Sequence, residues 1–312
     1  MSDNPASAAI ETRQVTIGGQ LLQVAIRHGS GSAPPLLLFN GIGANWELAK
    51  PFLEALTSTT AIIFDVPGVG GSPRPLLPYR PSTLARLAAG LVAELGYAEI
   101  DVAGVSWGGG IAQQFAHQYP KLCRRLVLAA TAPGFTMVPA SPSVLWKMAT
   151  PRRYIDKDYM KRIAADIYGG AFRDDPSLIG RHAGAMHGTG KLGYLYQLLA
   201  ISGWTSLPWL WSLPQPTLVL MGRDDPLVPP INGHILAGLI PNAELRMIDD
   251  GHLFIVTLPG ETAALIEAFL ADASKPVEPS SPLSRLAGWV SGLVSTPGGR
   301  RDNQAQQEGR KS

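Results

Sequence analysis

Gly104-Val105-Ser106-Trp107-Gly108 follows the strand-like run Ile100-Asp101-Val102-Ala103 and precedes a helix-like stretch over residues 111–119. A serine raised on a sharp strand-to-helix turn needs glycine on both sides, because the two backbones crowd the turn and leave no room for a Cβ. The stretch therefore reads as a nucleophile elbow, with Ser106 as the candidate nucleophile. Five residues of this kind also occur by chance, so the chain on either side must supply the partners of the serine.

The flanking sequence has the rhythm such an elbow requires. Leu36-Leu37-Leu38-Phe39 and Ala61-Ile62-Ile63-Phe64 are short continuous apolar runs, as expected of parallel strands buried on both faces. Residues 100–105 and 126–130 continue the series, with a helix predicted over 84–95, between the 61–64 and 100–105 runs. A hairpin precedes these strands, residues 14–17 and 21–27 flanking the turn pair Gly18-Gly19. The alternation predicts an α/β fold with a doubly wound, mostly parallel sheet.

From Phe135 to about Pro208 the rhythm stops, and Pro, Trp and Tyr collect in helical-looking segments at 159–167 and 194–201. This reads as a helical lid inserted into the core. Core strands resume at Thr217-Leu218-Val219-Leu220-Met221-Gly222 and at 244–248, before a helix that runs to Leu270. The expected organisation is a disordered leader over 1–13, a first core segment over 14–134, the lid over 135–208, a second core segment over 209–273, and a linker and tail over 274–312.

Composition excludes several classes. With 312 residues, 46% hydrophobic and 16% charged, the chain can bury one large core. No apolar run reaches the roughly 20 residues of a membrane span. The start, Met1-Ser2-Asp3-Asn4-Pro5, lacks a basic segment followed by an apolar one, so neither export nor a bilayer anchor is expected. Cys123 is the single cysteine, which rules out an intrachain disulfide and a cysteine-built zinc site and fits a reducing cytoplasm. The net charge is +2; residues 283–312 hold five cations against Asp302 and Glu308, leaving the rest of the chain at −1 and without the basic field of a nucleic-acid binder. The loop Asp65-Val66-Pro67-Gly68-Val69-Gly70-Gly71-Ser72 is glycine-rich, but Pro73, Pro75 and Pro78 forbid the helix that a dinucleotide site opens, and a pocket-rim loop is the better reading. His182 and His187 are five apart and off one helical face, so no metal site is expected.

In open α/β sheets ligands gather at the carboxyl ends of the strands. After the first apolar strand, Asn40-Gly41-Ile42-Gly43-Ala44-Asn45 can turn backbone N–H groups toward a ligand; Ile42 N–H is one candidate oxyanion donor. Trp107 N–H, at the start of the helix after the elbow, is the other. A strand-end acid to hold a histidine is offered twice, by Asp224 and Asp225, and the residues alone leave both open. For the base, His252 in Asp249-Asp250-Gly251-His252-Leu253 follows the last core strand, a setting that His28, His117, His182, His187 and His234 lack. Trp146, Trp204, Trp209 and Trp211 put four of the seven tryptophans in the insertion or at its return. Trp146 and Trp204, with Asn40, are the candidates for the substrate path.

Phe39-Asn40-Gly41-Ile42-Gly43-Ala44-Asn45, Phe64-Asp65-Val66-Pro67-Gly68-Val69-Gly70-Gly71-Ser72, Val105-Ser106-Trp107-Gly108-Gly109 and Ile248-Asp249-Asp250-Gly251-His252-Leu253-Phe254 together resemble the intracellular medium-chain-length poly(3-hydroxyalkanoate) depolymerases of the α/β-hydrolase superfamily. Pro151-Arg152-Arg153-Tyr154, Ile167-Tyr168-Gly169-Gly170 and Gly203-Trp204-Thr205-Ser206 extend the resemblance through the insertion, so that it spans about residues 15–270. The order serine, acid, histidine is that of the superfamily. In that superfamily the acid is the fourth residue of Gly-x-x-Asp, which selects Asp225 after Gly222. Many members carry His-Gly where this chain has Asn40-Gly41, a departure shared with the depolymerase branch.

The resemblance implies a cofactor-free serine esterase acting through Ser106, His252 and Asp225 on an intracellular storage polyester, with the polymer granule as partner and the cytoplasm as location. Other lid-bearing esterases, lactonases, carbon–carbon hydrolases and acyltransferases share these residues, and a non-catalytic binding protein would not need them. Ser106 excludes the carboxylate nucleophile of epoxide hydrolases. Leu283, Leu286, Ala287, Val290, Leu293 and Val294 fall on one helical face, so an amphipathic helix is expected over 283–295, lying on the granule; the alternatives are that it packs on the enzyme or stays disordered, Gly288 and Gly292 weakening the helix.

Overall fold

Strands β1 (Ile10–Ile17), β2 (Gln20–Arg27), β3 (Leu36–Phe39), β4 (Ala61–Phe64), β5 (Ile100–Val105), β6 (Cys123–Ala129), β7 (Thr217–Gly222) and β8 (Ala243–Ile248) form one sheet in the order β1-β2-β4-β3-β5-β6-β7-β8. β2 runs antiparallel to β1 and β4, and the remaining pairs are parallel. The structure, a computed structural model, describes residues 9–149, 156–175, 177–178 and 190–272. The expected linker and tail helix 283–295, His182, His187 and the stretch 151–154 lie outside the described residues.

The helices are α1 (Lys50–Ala55), α2 (Pro81–Glu94), α3 (Trp107–Gln118), α4 (Pro142–Ala149), α5 (Lys157–Tyr168), α6 (Ala171–Asp174), α7 (Lys191–Ile201), α8 (Ile231–Leu239), α9 (Phe254–Thr257) and α10 (Pro259–Ala271). The continuous apolar strands are explained by cover on both faces. Leu37, Phe39, Ile62 and Phe64 pack with Leu84 and Leu91 of α2, Ile111 and Phe115 of α3, and Leu236 of α8. Their neighbours Leu36, Leu38, Ala61 and Ile63 point the other way, onto Phe52 and Leu53 of α1 and Ile266 and Leu270 of α10. Alternate residues of a strand face opposite sides, so a sheet covered twice must be apolar at every position.

The expected fold class is observed, and one expectation needs correction. β1 begins at Ile10, so residues 10–13, read as leader, are strand and pair with residues 24–27 of β2. The signal is weak because β1 is an edge strand whose residues 11–14 are all exposed, leaving no apolar alternation to read.

β3 lies between β4 and β5 and is parallel to both, so consecutive connections leave it in opposite directions. The crevice above such a switch point is where an open sheet binds ligands. The helical insertion hangs over it from a narrow neck, where Gly134 bridges Thr205 and Phe135 N–H donates to Trp204 O at 2.8 Å. The insertion has its own small core of Val144, Met160, Ile163, Ala164, Ile167 and Phe172. Asp156 caps α5, its side chain accepting from the N–H groups of Asp158 and Tyr159.

Candidate active site

Ser106 sits at the tip of the β5–α3 turn with φ 55° and ψ −121°, a left-handed backbone region that a residue with a side chain rarely adopts. The turn is fixed by Ser106 N–H on Ala129 O at 2.8 Å and by Thr131 Oγ1–H on Ser106 O at 2.7 Å. Gly104 and Gly108 are required there: a Cβ on Gly104 would overlap the Gly108 carbonyl, and one on Gly108 would overlap the Phe39 carbonyl. Strain held in place by the surrounding sheet and helix presents the hydroxyl to the crevice.

His252 Nε2 is 3.0 Å from Ser106 Oγ, and His252 Nδ1 is 2.7 Å from Asp225 Oδ2. Both His252 and Asp225 are buried. The other carboxylate oxygen of Asp225 accepts from the N–H groups of Leu227 and Val228, at 2.9 and 2.8 Å. The carboxylate is thereby aimed at Nδ1, which fixes the tautomer that leaves Nε2 free to take the serine proton.

Asp224 faces elsewhere. Its Oδ2 accepts from Gly170 N–H at 2.7 Å and pairs with Arg173 of α6. Burial pushes its carboxyl up, but Gly170 N–H and Arg173 outweigh that and hold it below the ordinary carboxylate value. Of the two candidate acids, the structure brings only Asp225 to His252.

The loop after β3 passes directly over the serine, a Cβ on Gly41 lying 3.8 Å from Ser106 Cβ. Gly41 N–H donates to Asn40 Oδ1, Gly43 N–H to Gln197 Oε1 and Ala44 N–H to Gly41 O. Ile42 N–H and Trp107 N–H make no hydrogen bond among the described residues. Two unspent donors therefore flank the serine, one on the loop and one at the N-terminus of α3. Asn40 lines the crevice, but both ends of its amide are used within its own loop, on Gly41 N and Asn45 O.

Two clefts meet at Ser106. The first runs under α4 and α5 and is lined by Leu48, Met148, Met160, Tyr168, Leu253 and Val256. The second opens along α7 and the loop after β6, past Phe135, Leu145, Tyr194, Leu198 and Ile201. Ile42, Met148 and Leu227 border both. Their walls are mainly apolar.

Neither Trp146 nor Trp204 lines these clefts. Trp146 is 80% exposed on α4. Trp204 is buried as a brace, its indole N–H on Gln114 Oε1 at 2.9 Å and its ring edge-on to Trp209. Aromatic content does not give the direction in which each ring points.

Sequence reading missed the contacts that the insertion makes with the site. Tyr168 O accepts from His252 N–H at 2.6 Å, Gly170 N–H reaches Asp224, and Ala171 N–H reaches Asp250 Oδ1 at 2.7 Å. Asp250 is buried and also takes Gly251 N–H and the Thr257 hydroxyl. Gly169 and Gly170 have φ of 65° and 49°, and a Cβ on either would overlap the acid or histidine loop. Among the described residues no group of three or more His, Cys, Asp or Glu side chains is placed to hold a metal ion. Cys123 is buried, and burial pushes its thiol well above the usual value.

The alpha/beta hydrolase fold family model matches residues 34–258. The chain is 54% identical over 259 residues to a poly(3-hydroxyalkanoate) depolymerase of Ectopseudomonas oleovorans, covering 83% of this chain and 92% of that one. It is 29% identical over 275 residues to a 2-hydroxymuconate semialdehyde hydrolase of a Pseudomonas species, covering 82% and 95% respectively. The solved enol-lactonase of Burkholderia xenovorans LB400 shares the fold, with a TM-score of 0.72 at 22% identity over 83% of this chain and all of that one. The elbow, the switch-point sheet and these matches agree: the chain belongs to the α/β-hydrolase family, in the branch of the poly(3-hydroxyalkanoate) depolymerase.

Proposed function

We propose that this protein is a serine esterase that hydrolyses medium-chain-length poly(3-hydroxyalkanoate), with Ser106 as nucleophile, His252 as base and Asp225 as its orienting acid. The observation that carries the chemistry is the continuous chain from Ser106 Oγ through His252 to Asp225. The 54% identity to a poly(3-hydroxyalkanoate) depolymerase supports the polyester as substrate. The apolar clefts suit its aliphatic side chains.

Ser106 Oγ attacks the ester carbonyl carbon as its proton passes to His252 Nε2. The carbonyl oxygen becomes an oxyanion that accepts from Ile42 N–H and Trp107 N–H, whose preorganised dipoles need no reorientation as charge develops. Collapse breaks the ester bond, and the departing hydroxyl of the neighbouring unit takes the proton from His252. A water, deprotonated by the same nitrogen, then releases the acyl group as a 3-hydroxy acid or short oligomer. Asp225 stabilises the imidazolium formed in each half-reaction.

The insertion acts as a lid over the clefts, and the enzyme works in the cytoplasm at the polymer granule. Purified protein is expected to release acid from medium-chain polyester faster than from short-chain polyester. Preference for short soluble esters with no release from either polymer would assign the site to a different esterase.

A further inference from the structure

Gln197 lies at the middle of α7, fully buried, and hydrogen-bonds both the loop after β3 and Trp107 at the start of α3. Its side-chain Oε1 accepts from Gly43 N–H at 2.9 Å, 154 residues away in sequence and next to Ile42. Its backbone carbonyl accepts from the indole Nε1–H of Trp107 at 3.0 Å. Among the described residues Gln197 Nε2 has no hydrogen-bond partner.

Burying an amide gains nothing over an apolar side chain of the same size unless its hydrogen bonds are used, so packing alone would favour Met or Leu at this position. What the amide contributes is one acceptor, directed at the loop that carries Ile42 N–H. Holding Gly43 N–H fixes the peptide unit that joins it to Ile42. We infer that Gln197 is a positioning residue that ties the insertion to the oxyanion loop, so that the donor geometry depends on α7 being seated. The inference rests on the serine-esterase reading and adds a member of the insertion to the machinery. Gln197 acts through Gly43, not on substrate.

The experiment compares Gln197→Met, which keeps volume and removes the acceptor, with Gln197→Glu, which keeps an oxygen in the same place. Rates on a short soluble ester are taken per folded molecule, with the unfolding transition followed by tryptophan fluorescence. Gln197→Met is expected to lower kcat about tenfold or more with KM within about twofold, less than the 10²- to 10³-fold cost of deleting an oxyanion donor outright. Its Tm should stay within a few degrees of the parent, and Gln197→Glu should restore kcat to within about threefold. Gln197→Asn, which withdraws the acceptor by one methylene, takes the place of Gln197→Met if that variant does not fold. Unchanged kcat without the acceptor, or equal losses in the Met and Glu variants, would overturn the inference. Activity surviving in Ser106→Ala would instead bring down the esterase reading, so the two failures are distinguishable.

Discussion

The strand-end loops and the helical insertion both build this site, but in different ways. The strand-end turns supply every group proposed to act on the ester: Ser106 and Trp107 N–H after β5, Ile42 N–H after β3 and His252 after β8, with Asp225 after β7 orienting the histidine. The insertion supplies cleft walls and clamps: from its backbone, Tyr168 O on His252 N–H, Gly170 N–H on Asp224 and Ala171 N–H on Asp250; from a side chain, Gln197 Oε1 on Gly43 N–H of the loop after β3. Chemistry is thus fixed by a rigid sheet, while its alignment is shared with a part attached through a narrow neck. A change in the loops should remove catalysis with the fold intact, and a change in the insertion should alter stability or alignment by smaller factors.

The largest contrast is expected within the loops. His252→Ala should lower ester hydrolysis about 10⁴-fold or more without a large change in Tm, because nucleophile and base act as a unit. Asp225→Asn should cost about 10³- to 10⁴-fold through loss of the tautomer-fixing acceptor. Asp224→Asn should stay within about tenfold, its carboxylate being committed to Gly170 and Arg173. Steady-state rates for the three variants decide the assignment, and a reversed order of the two aspartates would reassign the acid.

Next come the clamps. Gly170→Ala should lower Tm by about 4–8 °C, since its φ of 49° and the overlap with Asp250 force the insertion away from the histidine loop. A thermal melt checks this, and an unchanged Tm would show that the clamp carries no stability. Trp204→Ala should reduce polymer and soluble-ester hydrolysis to the same degree, because the ring braces the neck and lines neither cleft. Selective loss on the polymer would return Trp204 to the substrate path.

The smallest effect concerns pH. Burial raises the Asp65 carboxyl to about 6, against the opposing pull of Gly71 and Trp46 N–H groups. A carboxyl raised in the folded state stabilises below its ordinary value, near pH 4, and loses that contribution as pH rises through about 6. Asp65→Asn should flatten this downward contribution, read as the change of Tm between pH 4 and 7. An identical slope in the variant would place the titration elsewhere.

Legibility in the sequence follows the same division. β3, β4 and β5 are visible because burial on both faces writes apolar runs into neighbouring positions. Ser106 is visible because the elbow demands glycine two residues before and after it. Asp224 and Asp225 could not be separated from local sequence, since the choice depends on which carboxylate receives Leu227 and Val228 N–H and which meets Arg173. Gln197 was silent, its partner Gly43 being 154 residues distant. Tyr168-Gly169-Gly170 carried a signal, a glycine pair ending a helix, that reads locally as a stop. Its close approach to two distant loops exists only in the folded chain. Edge strand β1 started earlier than expected because exposed residues leave no pattern.

The most direct test of the central claim is acid release from purified medium-chain polyester by the parent and by Ser106→Ala, with folding of both verified by their melts. The parent should release 3-hydroxyalkanoic acids, and Ser106→Ala should fall about 10⁴-fold or more while keeping its Tm. Release by Ser106→Ala within tenfold of the parent, or no release by the parent, would contradict it.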